Sequence, residues 1–304
     1  MTTLRFLVSL ITKDNDYQME QAAAAKAVAT ELGVEAQIVY ANDDPITQST
    51  QLLKAIQSEE TLRPSGIVVE PVGATSFPQV AKTAATAGIG WAVLSRDAEY
   101  AAELRKTTRT PVFSVGADQV EVGRIQGRQV AALLPRGGSV LVIQGPSVSS
   151  VSKERLSGLQ ESLASNVHVT NLRGRWTEES AHQSVVSWFR LIAAQKVRID
   201  LIVAQNDAMG IGARKAINEI ILDADRDQWL GIPIIGCDGV PKTGQTWVRT
   251  GQLAATVIVP PNAGEAITLM TKALRSGAAI PEHYFTTSVP FPAIDKLVPR
   301  APGR

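Results

Sequence analysis

Short apolar runs alternate with longer amphipathic stretches along nearly the whole chain. Residues 4–11 read as a buried strand. Residues 16–32 read as an Ala-rich helix, stopped by Gly33 where a left-handed cap belongs. A strand over 35–40, a helix over 45–58 with a proline in its first turn, and a strand over 66–70 follow. A helix over 77–87 ended by Gly88 and a strand over 91–95 complete the first half. The pattern restarts at Pro111, with strands over 112–115, 139–143, 167–172, 201–204 and 233–237. Helices over about 120–134, 152–165, 178–195 and 208–222 separate them. An extended run over 253–259, Pro260-Pro261, a helix over about 263–276 and a second extended run over 285–291 come last. Residues 299–304 read as a disordered tail.

Such alternation predicts an α/β fold with parallel sheets and helices on both faces. Two similar halves followed by further strand–helix material suggest two doubly wound lobes and a chain that crosses between them more than once. Pro111, Pro260-Pro261 and Pro290 would punctuate the crossings. The expected lobes are residues 1–115 with 260–288, and 116–259 with 289–304.

Length and charge sharpen this picture. The 304 residues suit two domains, and 44% hydrophobic against 19% charged residues describes a folded protein rather than a disordered one. Thirty basic residues against 29 acidic give a net charge of +1, with no basic stripe, so nucleic acid is not an expected partner. The single cysteine, Cys237, excludes an internal disulfide. No apolar run approaches the roughly 18 residues of a membrane span. Residues 6–11 lead straight into Lys13-Asp14-Asn15-Asp16-Tyr17 without a cleavage-type sequence, and so read as the first strand rather than an export signal. The sequence alone therefore favours a cytoplasmic protein, unless a signal lies outside it.

The chemistry concentrates at strand ends. LIVAQNDAMG (201–210) and IPIIGCDG (232–239) are apolar runs that stop at Asn206 and Asp238. In open parallel sheets ligands bind outside the carboxyl ends of the strands. An amide and a carboxylate delivered there can hydrogen-bond hydroxyls, and no His or Lys in either stretch could activate a nucleophile. Arg96 could hold two adjacent oxygens with its planar fork, or form a solvated pair with Asp97. Asp238 could equally be a turn carboxylate before Gly239. Trp176 could face a sugar ring or sit in the core, and Tyr17 is open to the same two readings. The serine cluster SVSSVSK (147–153) is explained by helix capping, and Gly210-Ile211-Gly212 lacks the rest of a dinucleotide fingerprint. His168, His182 and His283 are scattered, which gives no metal site; there is no GxSxG elbow, and Cys237 in its apolar strand reads as an inert buried thiol.

The order of motifs resembles the type I periplasmic sugar-binding proteins, the ribose-binding-like group related to lactose-repressor-type effector domains. The similarity runs from Leu4 to about Pro292. It rests on AQNDAMGIGARKAI (204–217), IIGCDGVP (234–241) and GQLAATVIVPPNAG (251–264), with the strand–turn over 67–71, VLSRD (93–97) and VIQGP before SKERLSGL (142–159). This resemblance implies ligand-binding positions at Asn15, Tyr17, Glu70, Ser95 and Arg96 in one lobe, and at Lys153, Trp176, Asn206 and Asp238 in the other. Departures are visible. Ser95 stands where the ribose binders have an aspartate, though Asp97 follows and can substitute. Glu70 replaces an asparagine, Lys153 an arginine, Val259 a glutamine and Gln18 an aromatic residue.

What the resemblance implies is a non-enzymatic solute-binding protein, without cofactor or metal, that closes by a hinge on a sugar or polyol. It would be a monomer in the periplasm and would serve an ABC permease or a membrane sensor. The alternatives are a cytoplasmic ligand sensor or regulator effector domain and a sugar-modifying α/β enzyme. A DNA-binding headpiece would need residues before the first strand, which begins by Leu4, and the enzyme lacks a base–nucleophile pair.

Overall fold

The computed structural model describes residues 3–72, 77–96, 98–192, 197–220 and 229–299. Asp97, the closing residues of the helices expected over 178–195 and 208–222, and residues 300–304 of the expected tail lie outside the described residues. In chain order the elements begin with β1 (Arg5–Leu10), α1 (Asp16–Leu32), β2 (Glu35–Tyr40), α2 (Pro45–Ile56), β3 (Gly66–Val69), α3 (Pro78–Thr86), β4 (Gly90–Leu94), α4 (Glu99–Thr107) and β5 (Val112–Ala117). Then come α5 (Gln119–Leu133), β6 (Gly138–Gln144), α6 (Ser150–Ser162), β7 (Val167–Arg173), α7 (Glu178–Ile192), β8 (Leu201–Ala204), α8 (Asp207–Ile220) and β9 (Ile234–Ile235). The chain continues through α9 (Gly244–Arg249), β10 (Thr256–Ile258), α10 (Ala263–Ser276), β11 (His283–Thr286) and β12 (Val289–Phe291).

Two compact units result, Met1–Ala117 with Pro260–Thr286 and Asp118–Val259 with Thr287–Arg304, so the chain passes between them three times. In the first unit the described strands form a parallel sheet in the order β11-β5-β4-β3-β1-β2. Side chains alternate across it, as strand geometry requires. Phe6, Val8 and Leu10 of β1 pack with α1 and α10 on one face. Leu7 joins Ile67, Val69 and Trp91 under α2 and α3 on the other. In the second unit the order is β7-β6-β8-β9, again parallel, with Leu141 and Ile143 facing one core and Val140 and Val142 the other.

Most elements follow the apolar pattern, and the differences have physical causes. Helix α4 was not expected, because only Ala101 and Leu104 of its charged sequence are buried. The run expected over 285–291 divides: β11 completes the first sheet beside β5, while β12 pairs antiparallel with β10 in the second unit. The strands expected over 233–237 and 253–259 shorten to two and three residues. Asp238 adopts a left-handed φ of 105°. From the end of β9 the two stretches run on as isolated bridges, Ile235 to Ala255 and Asp238 to Ile258, with backbone hydrogen bonds such as Gly236 N to the Ala255 carbonyl at 2.9 Å.

The tightest packing in the second unit lies between α5 and α6. A Cβ at Gly158 would overlap the Val120 carbonyl, and one at Gly123 the Arg155 carbonyl. Backbone cannot rotate away as a side chain can, so overpacking here must separate the helices. Gly158→Ala should therefore lower stability by about 1–3 kcal/mol, read as a fall in the midpoint of denaturant unfolding. An unchanged midpoint would show that the helices are not pressed together.

Candidate functional site

Within the first unit, β1, β3 and β4 are neighbours, so their carboxyl ends gather the predicted residues of that unit. Asn15 caps α1, its side chain accepting from Gln18 N at 3.2 Å. Gln18 is buried and joins two strand ends: its Oε1 accepts from Ile11 N at 2.9 Å, and its Nε2 donates to Glu70 Oε2 at 2.9 Å. Gln48 fixes the Glu70 main chain, donating to its carbonyl at 2.9 Å. Burial raises the Glu70 carboxyl above its ordinary range, opposed by the Gln18 donor and the Arg96 charge. Ser95 is buried with φ at 64° and delivers half-buried Arg96 to the same edge. Tyr17 is half-buried, and its hydroxyl donates to the Pro260 carbonyl at 3.0 Å.

In the second unit the structure brings together Trp176, Asn206 and Asp238, and adds residues that the sequence did not single out. Asn206 sits at the end of β8 and is 2% exposed. Its Oδ1 accepts from Met209 N at 2.9 Å, which caps α8, and its Nδ2 donates to the Trp176 carbonyl at 2.9 Å. Trp176 is half-buried with φ at 65°. Asp238 retains 15% side-chain exposure and lies 3.8 Å from Arg155 Nη1. Lys153 is exposed on the first turn of α6, whereas Arg155, two residues on, turns inward.

Arg155 is the centre of this half of the site. Its Nε donates to Gln119 Oε1 at 2.8 Å, Nη1 donates to the Gln205 carbonyl, and its guanidinium lies 5.8 Å from the Trp176 ring centroid. Beneath it Asp207 is fully buried, accepting from Thr256 Oγ1 at 2.6 Å and from Gly239 N at 2.8 Å. Burial first, and the Asp238 charge second, lift the Asp207 carboxyl well above its ordinary 3.8, against the pull of Thr256, Gly239 and Arg155. Burial likewise raises the Cys237 thiol, which leaves it without nucleophilic character at neutral pH. Of these residues, Asp207 adjoins the strand-end Asn206 and was within reach of the same reasoning. Arg155 and Gln205 lie inside the motifs that carry the resemblance but are not singled out there as site residues, and Gln18 figures only as a departure at an aromatic position.

Among the described residues, no group of three or more His, Cys, Asp or Glu side chains could hold a metal, and no helix is long and apolar enough to cross a membrane. A family model described as a periplasmic binding protein domain matches residues 6–279. The chain belongs to this family. The resemblance drawn from the order of motifs therefore holds, as does the α/β fold it implied. Among relatives, the chain is 30% identical over 220 residues to the xylitol-binding protein of Mycolicibacterium smegmatis, covering 71% of this chain but only 56% of that relative's length. It is 24% identical over 260 residues to the ribose import binding protein of Salmonella typhimurium, covering 86% of this chain and 80% of that one. A solved ABC transporter periplasmic solute-binding protein of Actinobacillus succinogenes, with bound D-allose, shares the fold at a TM-score of 0.81 and 20% identity. The match covers 95% of this chain and 97% of that one.

Asp207 has a thermodynamic signature. A carboxyl whose folded pKa is raised binds its proton more tightly in the native state. Its contribution to stability is thus fully present below the ordinary value of 3.8 and is lost as pH rises through the raised one. Relative to Asp207→Asn, the wild type should gain stability as pH falls through that window. Denaturant unfolding at a series of pH values checks this, and the opposite slope would mean that Asp207 is stabilised as a carboxylate.

Proposed function

We propose that this protein is a non-enzymatic solute-binding protein that takes up a sugar or sugar-like polyol. The observation that carries the reading is the strand-end cluster of the second unit. A half-buried indole and a carboxylate stand together there, backed by the Arg155 guanidinium and without an activated nucleophile. An indole face suits the C–H side of a sugar ring, and charged groups make the strongest hydrogen bonds to hydroxyls. In the first unit Glu70, Ser95 and Arg96 supply a second set of hydroxyl partners, beside Asn15 and Tyr17. Membership of the periplasmic binding protein family supports the same reading, as do relatives named for xylitol and ribose and a solved protein holding D-allose.

By the same support we place the protein in the periplasm, delivering its ligand to an ABC-type permease. Hinge closure on the ligand is the binding mode that belongs to this reading. Specificity would follow from burial: a ligand lacking one hydroxyl leaves a polar group unpaired.

Calorimetric titration against pentoses, hexoses, cyclitols and alditols should find a ligand of roughly micromolar or tighter affinity, about −8 kcal/mol or better. Silence across the panel, with amino acids or nucleosides bound instead, would overturn the ligand class. Asp238→Ala and Arg96→Ala should each weaken binding by about 1.5–3 kcal/mol while circular dichroism stays native, because each removes a charged hydrogen-bond partner. Normal affinity in either variant would remove that residue from the site.

A further inference from the structure

Trp176 is held by Gly145, Arg155 and Asn206. Gly145, just past the end of β6, lies directly against its ring. A Cβ built there would overlap Cζ2 and Cη2 of the indole and stand 2.5 Å from Cε2. Gly145 cannot retreat easily, because its N–H donates to Gln205 Oε1 at 2.8 Å, and that amide is also tied to Ser152 through two hydrogen bonds of 2.7 and 2.8 Å. The Trp176 backbone is fixed separately, in a left-handed conformation with its carbonyl bound by Asn206. Arg155, itself anchored by Gln119 and the Gln205 carbonyl, stands by the ring. The ring thus has its position before any ligand arrives.

We propose that Gly145 and Arg155 are positioning residues that pre-set the Trp176 ring, and that the second unit thereby selects rigid cyclic sugars or cyclitols over open-chain polyols. This rests on the sugar-binding reading above and narrows it. A fixed flat surface rewards a ligand whose C–H groups are already held on one face of a ring. An open-chain alditol must freeze several C–C torsions to present the same face, and ordering of that kind subtracts directly from affinity. With the ring free to turn, the surface could adapt to either shape and the preference would fade.

The first measurement is titration of the wild type with D-ribose, D-allose and myo-inositol against ribitol and xylitol. At least tenfold tighter binding of one cyclic probe than of either open-chain probe is expected. Any smaller ratio overturns the inference and leaves the broader reading standing, whereas binding of none of the five removes that reading and the inference with it. The second measurement places Gly145→Ala in the wild-type and Trp176→Leu backgrounds. In the first it should alter the near-ultraviolet circular dichroism of the ligand-free protein and cut the cyclic-to-open ratio at least tenfold. In the second it should change neither affinity nor ratio. Equal losses in both backgrounds, or no loss in the first, would show that Gly145 does not act through the ring. Should Gly145→Ala not fold, Arg155→Lys carries the test, since it keeps a positive charge for Asp238 and removes the planar group beside Trp176. The cyclic-to-open ratio should fall there too, and an unaltered ratio overturns the proposal.

Discussion

A guanidinium taken out of water is tolerated only if its charge and its donors are answered, and Arg155 is the point where the second unit meets that demand. From α6 it reaches Gln119 at the start of α5, the carbonyl that ends β8, and the carboxylate of Asp238 after β9. Those three partners come from separate parts of the chain, so one side chain fixes the relative places of two helices and two strand ends. The buried Asp207 carboxyl draws on the same positive charge. Take the cation away and two acidic groups face each other with only hydroxyl and amide donors between them and the core.

The first unit holds its strand ends mainly with neutral amides. Gln18 spans from Ile11 to Glu70, Gln48 from Ser9 to the Glu70 carbonyl and Val72, and Gln21 accepts from the first backbone amides around α10. A buried amide costs less desolvation than a charge and offers both a donor and an acceptor, so it can join strand ends without needing a counter-ion. Glu70 and Arg96 are charged groups at the ends of β3 and β4 beside these amides. Each unit arrives at an edge populated by polar groups, one through glutamines and the other through an arginine.

Much of this was legible in the sequence. Buried parallel strands write themselves as continuous apolar runs, and that pattern placed β1, β3, β6 and β8 within a residue or two. Helix α4 escaped it, because two buried side chains leave too little pattern to read, and the runs over 233–237 and 253–259 are longer than the β9 and β10 that they contain. At the site, the rule that ligands meet strand ends located Asn206 and Asp238 at the edges where the structure has them, and the family resemblance added Glu70. The resemblance put Lys153 at the site, whereas Arg155, two residues on, is the side chain that turns inward. In Lys-Glu-Arg only the phase of α6 against α5 decides which side chain turns inward, and that phase depends on glycines whose partners lie far away in sequence. Gly145 is the extreme case, since its role is visible only as the space that another residue occupies.

Ser95, Trp176 and Asp238 share a property beyond their chemistry: each holds φ between 64° and 105°, a region that side-chain-bearing residues rarely adopt. Glycine would fit all three positions with less local strain, so the most comfortable backbone here belongs to a sequence without a hydroxyl, an indole or a carboxylate at those points. Selection for foldability alone would be expected to drift toward that sequence. A chain that keeps the less comfortable residues is trading stability for what their side chains do, and laboratory selection for thermal robustness would press hardest on these three positions.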